Sequence, residues 1–254
     1  MHPLHSDWLV PEWPAPGAVK ALFSSRQGGI SGVPYDSLNL GLHVGDDALH
    51  VQHNRHVLQA AVGVRPVYLQ QVHGWDVLPA RADSPDGVVA DAACTSEPGL
   101  ACCVMVADCL PVLFCDAEGR QVAAAHAGWR GLLGSQGHGV LEASVARYAE
   151  PRGLLAWLGP CIGPAAFEVG EEVRSAFVAD TPEARAFFLP KGEGKWLADL
   201  PALARQRLQR AGVQAIYGND GSQAWCTVAN ASRFFSHRRD RISGRMAACI
   251  WLTG

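Results

Sequence analysis

A fold that mixes α and β elements, α/β or α+β in class, is predicted by two patterns in this chain. Short runs rich in Val, Ala and Cys end at turn signals, and longer segments repeat apolar residues at helical spacing. In chain order, a helix comes first, over residues 47–62. Residues 100–106, 112–115 and 121–125 then read as buried strands. Pro111 lacks a ladder donor and suits a strand start. His126 falls at a strand end, before a Gly-containing turn. From 131 to about 148 the spacing of Leu132, Leu133, Val140, Leu141 and Val145 predicts a second helix, although Gly134, Gly137 and Gly139 weaken its first half. The start of that helix would lie near His126 and Arg130, a placement that suits an anion.

A chain of 254 residues with 48% hydrophobic content can bury a sizeable core. No linker, repeat or low-complexity tract divides it, so residues 1–254 are expected to form one domain, with the Pro/Gly-rich stretches 11–17 and 84–87 as loops. A net charge of −3 offers no basic footprint for nucleic acid. Residues 1–17 contain Asp7, Glu12 and several prolines, and so lack the basic start and unbroken apolar core of a signal peptide. No run approaches the roughly 20 apolar residues of a membrane span. The eight cysteines are scattered. The apolar neighbours of Cys94, Cys102, Cys103, Cys115 and Cys249 suit reduced core residues, and a cytoplasmic protein without membrane or nucleic-acid partners is the expectation.

Three segments carry candidate chemistry: Gln70-Gln71-Val72-His73-Gly74, Ala107-Asp108-Cys109-Leu110-Pro111 and His126-Ala127-Gly128-Trp129-Arg130-Gly131. Two imidazoles and a thiolate, with no obvious fourth protein ligand, fit a zinc site whose last position takes water or substrate. Their wide spacing matches no compact zinc signature, and an ordinary role at a strand end explains each one singly. Arg26, followed by Gln27-Gly28-Gly29, offers a guanidinium and backbone donors to phosphate, and Asn39 can orient a sugar hydroxyl or a base. A glycine turn beside a surface arginine is the simpler alternative. Arg130 and the Arg238-Arg239-Asp240 cluster are further anion candidates, Arg130 the stronger because it closely follows His126. Asp108 is either a proton shuttle beside the thiolate or a cap for backbone donors. His50, His53 and His56 spread over about 120° of a helix and read as surface residues. Cys161, flanked by Gly and Pro, reads as a packed residue in a tight turn.

Beyond these segments, the chain contains Phe23-Ser24-Ser25-Arg26-Gln27-Gly28-Gly29 and Ser37-Leu38-Asn39-Leu40-Gly41-Leu42-His43-Val44-Gly45-Asp46. Asn54-Arg55, Leu158-Gly159-Pro160-Cys161-Ile162-Gly163-Pro164 and Phe167-Glu168-Val169 follow. Phe235-Ser236-His237-Arg238-Arg239-Asp240 and Gly244-Arg245 complete the set. In this order and over nearly the full length, they resemble the YfiH/laccase-domain family, polyphenol oxidase-like in name and purine nucleoside phosphorylases in reported activity. The sequence departs from the family at His237, where Tyr is commoner, and at Ala165-Ala166. The first departure bears on substrate.

The resemblance implies a single domain with a central mixed sheet and flanking helices, and it places zinc on His73, Cys109 and His126. It also implies phosphorolysis of adenosine, inosine and methylthioadenosine, deamination of adenosine, and purine nucleosides and phosphate as partners. Residue by residue, His73, Cys109, His126 and Asp108 are the catalytic candidates; Arg26, Asn39 and Arg130 are those for substrate. Two rivals stand beside this reading. One is a copper polyphenol oxidase, disfavoured by the absence of a His-x-His pair; the other is a non-enzymatic zinc-stabilised binding protein, disfavoured by the open ligand position. A peptidoglycan-related role is a further family-level alternative, with no residue here that specifies it. Oligomeric state is not encoded in any of these signals.

Overall fold

The computed structural model describes residues 5–254. β1 (Val19–Phe23) and α1 (Ala48–Val62) lead into β2 (Arg65–Gln70), β3 (Val77–Pro79), β4 (Val88–Val89) and β5 (Ala92–Thr95). Next come β6 (Leu100–Val106), β7 (Leu110–Asp116), β8 (Val122–Ala127), α2 (Trp129–Leu133) and α3 (Val140–Val145). They are followed by β9 (Leu154–Leu158), β10 (Glu168–Gly170), α4 (Glu171–Asp180), β11 (Phe188–Gly192) and β12 (Lys195–Ala198). The chain ends with α5 (Leu200–Arg210), β13 (Ala215–Gly218), α6 (His237–Asp240) and β14 (Met246–Leu252).

The mixed α/β class and the flanking helices are as expected, but the strands divide between two large sheets instead of forming one central sheet. A five-stranded sheet runs β1-β14-β6-β2-β4, a six-stranded sheet runs β13-β9-β7-β8-β5-β3, and β10-β12-β11 form a small third sheet. Parallel and antiparallel pairs occur in both large sheets. Their facing sides share one core, in which Cys102, Val104 and Met246 of the first meet Leu113, Val122 and Ala124 of the second. The alternate residues of β6, Ala101, Cys103 and Met105, pack with Leu58 and Val62 of α1 on the outer side. On the far side of the six-stranded sheet, Val112, Phe114 and Ala125 pack with Leu141 of α3 and Leu203 of α5. Both faces of these strands are covered, and for that reason β6 to β8 read as continuous apolar runs and not as an alternation.

α1 starts where expected: the Asp47 side chain accepts from Leu49 N–H at 2.7 Å, and Gly63 at φ 75° ends it. β6 keeps its expected bounds, β7 extends slightly beyond its own, and β8 starts one residue later and ends two residues later than expected, so that His126 lies within it. The single helix expected over 131–148 is corrected to two short ones. Gly134 adopts φ 63° at the end of α2, and Ser135 and His138 exchange backbone hydrogen bonds in a tight loop before α3 begins. The glycines that weaken helix propensity here turn the chain instead. At five residues, α2 is too short to serve as the anion-binding helix expected near Arg130. The eight cysteines are free thiols, and all but Cys109 are buried. No helix among the described residues is long and apolar enough to cross a membrane.

Candidate metal centre

The site forms where the chain passes between the two large sheets. β2 and β4 and β6 belong to the five-stranded sheet, and each is followed directly by a strand of the six-stranded one. The three connections meet at one rim, at the end of β8. The first carries His73, the second Asp91 and the third Asp108 and Cys109; β8 supplies His126.

Each connection is tied down. The Gln71 side chain donates to the Met105 carbonyl at 2.8 Å and accepts from Met105 N–H at 2.7 Å, which clamps the start of the first loop to β6. His73 follows in a left-handed turn, at φ 61°. The three N–H groups of that turn, from Val72, His73 and Gly74, all donate to the Asp91 carboxylate, at 3.1, 2.9 and 2.7 Å. The same carboxylate takes a fourth hydrogen bond from His126 Nδ1 at 2.8 Å, and the Asp91 carbonyl accepts from His126 N–H at 2.7 Å. One fully buried side chain therefore sets two candidate ligands. Asp91 was not among the residues expected from sequence; its signal was an ionisable residue set between Ala90 and Ala92-Ala93.

His73 Nε2 and Cys109 Sγ stand 3.7 Å apart, and the two imidazole rings cross at 73° with centroids 4.8 Å apart. One donor atom from each of His73, Cys109 and His126 lies within 4.8 Å of the others. Because Asp91 occupies Nδ1 of His126, Nε2 is the nitrogen left for an ion. Two nitrogens, one sulfur and a partner that fixes the tautomer fit a single zinc with a position to spare, and copper also accepts such donors. Gly128 makes room: a Cβ there would stand 2.7 Å from the His73 ring and 3.1 Å from Cys109 Sγ.

Electrostatics favour the thiolate that a metal needs but leave His126 holding a proton that a metal must displace. Burial pushes the Cys109 thiol up, but the charge on His126 and hydrogen bonds from His126 and His73 more than offset it and bring the thiol to about 6. Burial pushes His126 down, but the Cys109 thiolate and the Asp91 hydrogen bond hold it at about 9. Without metal, the site at neutral pH holds a thiolate–imidazolium pair.

A cavity of about 440 Å³ opens above the three donors. Phe167, Ile162 and Trp129 give it apolar wall, and Arg130, Arg238, Arg245, His43 and His237 give it donors. Of the residues expected from sequence, His73, Cys109, His126, Asp108 and Arg130 line it; Arg26 and Asn39 do not. The Arg26 guanidinium is committed to the Asp36 carbonyl and carboxylate and to the Ala231 carbonyl, and Asn39 is fully buried, with its side chain bonded to Gly41 and Asp46. Asp108 accepts from Thr227 Oγ1 and from Arg238 N–H, each at 2.6 Å, the capping arrangement that sequence had left open. His43 and Arg245 lay inside recognised motifs but gave no local sign that they meet. His50 is half-buried and His53 and His56 are exposed, and the three form no metal-holding group. Cys161 is a buried turn residue that accepts from Asn219 Nδ2 at 3.4 Å.

Residues 20–253 match the family described as multi-copper polyphenol oxidoreductase laccase. The purine nucleoside phosphorylase YfiH of Escherichia coli is 52% identical over 250 residues, which cover 97% of this chain and 99% of the relative. A purine nucleoside phosphorylase of Pseudomonas aeruginosa is 50% identical over 247 residues, with 96% and 98% covered. Among solved structures, a Neisseria meningitidis protein superposes with a TM-score of 0.91 at 48% identity, covering 98% of this chain and 100% of its own. YfiH of Bacillus licheniformis gives 0.85 at 30% identity, with 92% and 93% covered. Similarity that spans nearly the whole chain, in sequence and in backbone, shows that the protein belongs to the YfiH/laccase-domain family.

Proposed function

We propose that this protein is a zinc-dependent purine nucleoside phosphorylase that also deaminates adenosine and accepts methylthioadenosine. The observation that carries the proposal is the convergence of His73, Cys109 and His126, with one position to spare, at the base of a cavity that combines apolar wall with guanidinium groups. The names of the two relatives, both nearly coextensive with this chain, support a nucleoside and phosphate as the reactants.

His73, Cys109 and His126 would hold the ion, which when bound supplies Lewis acidity and a water of lowered pKa. The remaining work belongs to the chain. Phe167 and Trp129 offer faces on which a planar base can stack. Arg130 lies over the Trp129 ring at 4.3 Å and is exposed at the cavity edge, where it can meet an incoming anion. Asp108 presents a fixed carboxylate to the cavity and would accept a proton during deamination. Arg26 and Asn39 act through the segments they anchor. The three-ligand set suits a single ion, so a multicopper cluster has no second set of donors among the described residues.

The test is product analysis on zinc-loaded protein. Adenosine without phosphate should yield inosine, and added phosphate should release free base and ribose 1-phosphate. His73→Ala, Cys109→Ala and His126→Ala should depress both reactions. Oxygen consumption with a phenolic donor after copper loading, without purine products, would replace this reading with the oxidase.

A further inference from the structure

We infer that Arg245, with His43 beside it, forms an oxyanion subsite in the cavity that takes free phosphate. The role of that phosphate as a reactant rests on the nucleoside reading above; the subsite itself rests on the following geometry.

Arg245 is a half-buried cation without a carboxylate partner among the described residues. Its Nη1 donates to the Ser243 carbonyl at 2.9 Å, to Ser243 Oγ at 3.4 Å and to the Gly244 carbonyl at 3.1 Å, which locks one edge of the guanidinium. Nε and Nη2 have no protein acceptor among the described residues, and the side chain lines the cavity. Burial holds its pKa below the ordinary arginine value, with partial relief from Cys109, Asp108 and Tyr35. The nearest of these to a counter-ion, Asp108, already accepts from Thr227 and from Arg238 N–H. A desolvated guanidinium with one edge fixed and the other unpaired is suited to a ligand that brings negative charge and several acceptor oxygens.

Neither neighbouring arginine is in the same condition. Arg238 spends Nη1 on the carbonyls of Glu168 and Ala166, and Arg130 is exposed over Trp129. Arg245 is also placed by other buried groups. Asn39 Oδ1 accepts from Arg245 N–H at 2.9 Å and from Gly41 N–H at 3.0 Å, and Leu40 N–H donates to the Arg245 carbonyl at 3.1 Å. A Cβ on Gly41 would stand 2.8 Å from Arg245 Cγ and 3.4 Å from His43 Cε1, so the Asn39-to-His43 segment and Arg245 pack as one unit. Burial and then the charge of Arg245 hold His43 below the ordinary histidine value. His43 is itself exposed at the cavity edge, and a neutral imidazole there can donate one N–H to an anion. The buried Asn39, expected from sequence to touch substrate, becomes the residue that positions both donors.

Inorganic phosphate titrated into zinc-loaded protein without nucleoside, followed by phosphorus NMR, tests the subsite directly. Saturable binding is expected, with Arg245→Gln weakening it at least about tenfold at unchanged zinc content, and Asn39→Ala weakening it although the arginine remains. Equal phosphate affinity in folded Arg245→Gln, or no saturable binding to the wild type, would overturn the inference. If Arg245→Gln does not fold, phenylglyoxal modification of the wild type replaces it. Phosphate should slow modification of Arg245 severalfold, and an unchanged rate at saturating phosphate overturns the subsite. Inosine formation by a protein that binds no phosphate would sink the subsite and leave the nucleoside reading standing. Arg245-dependent phosphate binding without any purine product would do the reverse.

Discussion

Asp91 concentrates the order of the candidate metal centre in one side chain. Its two oxygens take three backbone N–H groups and an imidazole N–H, and Asp91→Asn leaves one oxygen for the four donors. Zinc affinity should fall about 10- to 100-fold. Unpaired buried donors should also cost about 1–3 kcal/mol in urea unfolding. Chelator competition and urea titration measure the two losses separately, and an unchanged zinc affinity would remove Asp91 from the site. The thiolate–imidazolium pair makes metal binding proton-linked. Between pH about 6 and about 9 a metal must displace the proton that His126 holds, and below about 6 it must also displace the Cys109 proton. Apparent affinity should therefore fall about tenfold per pH unit on acidification through the first range and more steeply below it. In stripped protein, iodoacetamide should label Cys109 ahead of the buried thiols. The rate should drop as pH falls through about 6, and zinc should protect.

The connection from β8 into α2 and α3 shows how glycine sets the geometry of a short element. Gly128 admits the His73 ring and the Cys109 sulfur against the backbone, whereas Gly134 supplies the positive φ that separates the two helices. The two should fail differently on mutation to alanine. Gly128→Ala should displace the ligands and cost zinc affinity with little loss of fold. Gly134→Ala should cost about 1 kcal/mol or more of stability, because a Cβ at that φ is strained and meets the His138 carbonyl. Thermal melts of stripped and zinc-loaded variants separate the outcomes; equal losses for both would show that the two glycines have one role. Propensity alone would have let the apolar spacing win over 131–148, and the left-handed turn is a local choice that overrides it.

At the scale of the whole molecule, the core should not depend on a metal bound at the candidate site. The facing sides of the two sheets pack through Val104, Met246, Leu113 and Val122, and of the three candidate ligands only Cys109 packs against that core, at its edge. Of the three loops that cross between sheets, the first two are joined to each other and to His126 through Asp91, and the third is held by Thr227, Arg238 and Ile162 through Asp108. Stripping zinc-loaded protein should therefore leave far-ultraviolet circular dichroism intact and lower the melting temperature by an amount that depends on the free zinc concentration used. Hydrogen exchange should rise first in residues 71–76, 90–91 and 107–109, with β6, β7 and β14 still protected. Uniform loss of protection across both sheets would show that the metal holds the fold and not only the site.

Sequence by itself determined the mixed class, the position of α1 and the buried character of β6. Through the motifs around them, it also determined the identity of His73, Cys109 and His126 as the residues to watch. All of these are local properties, since periodicity, turn chemistry and donor type are read from a few neighbouring residues. Only the tertiary structure decided that the strands form two facing sheets, because an apolar run covered on both sides looks the same in either arrangement. It alone brought Asp91 under both histidines and Arg245 against Gly41. Arg26, an equally plausible anion ligand in sequence, was instead tied to Asp36 and Ala231. Apart from Arg26 with Asp36, those pairings join residues well separated along the chain, and their energies come from burial and from hydrogen bonds that do not exist until the sheets have closed on each other.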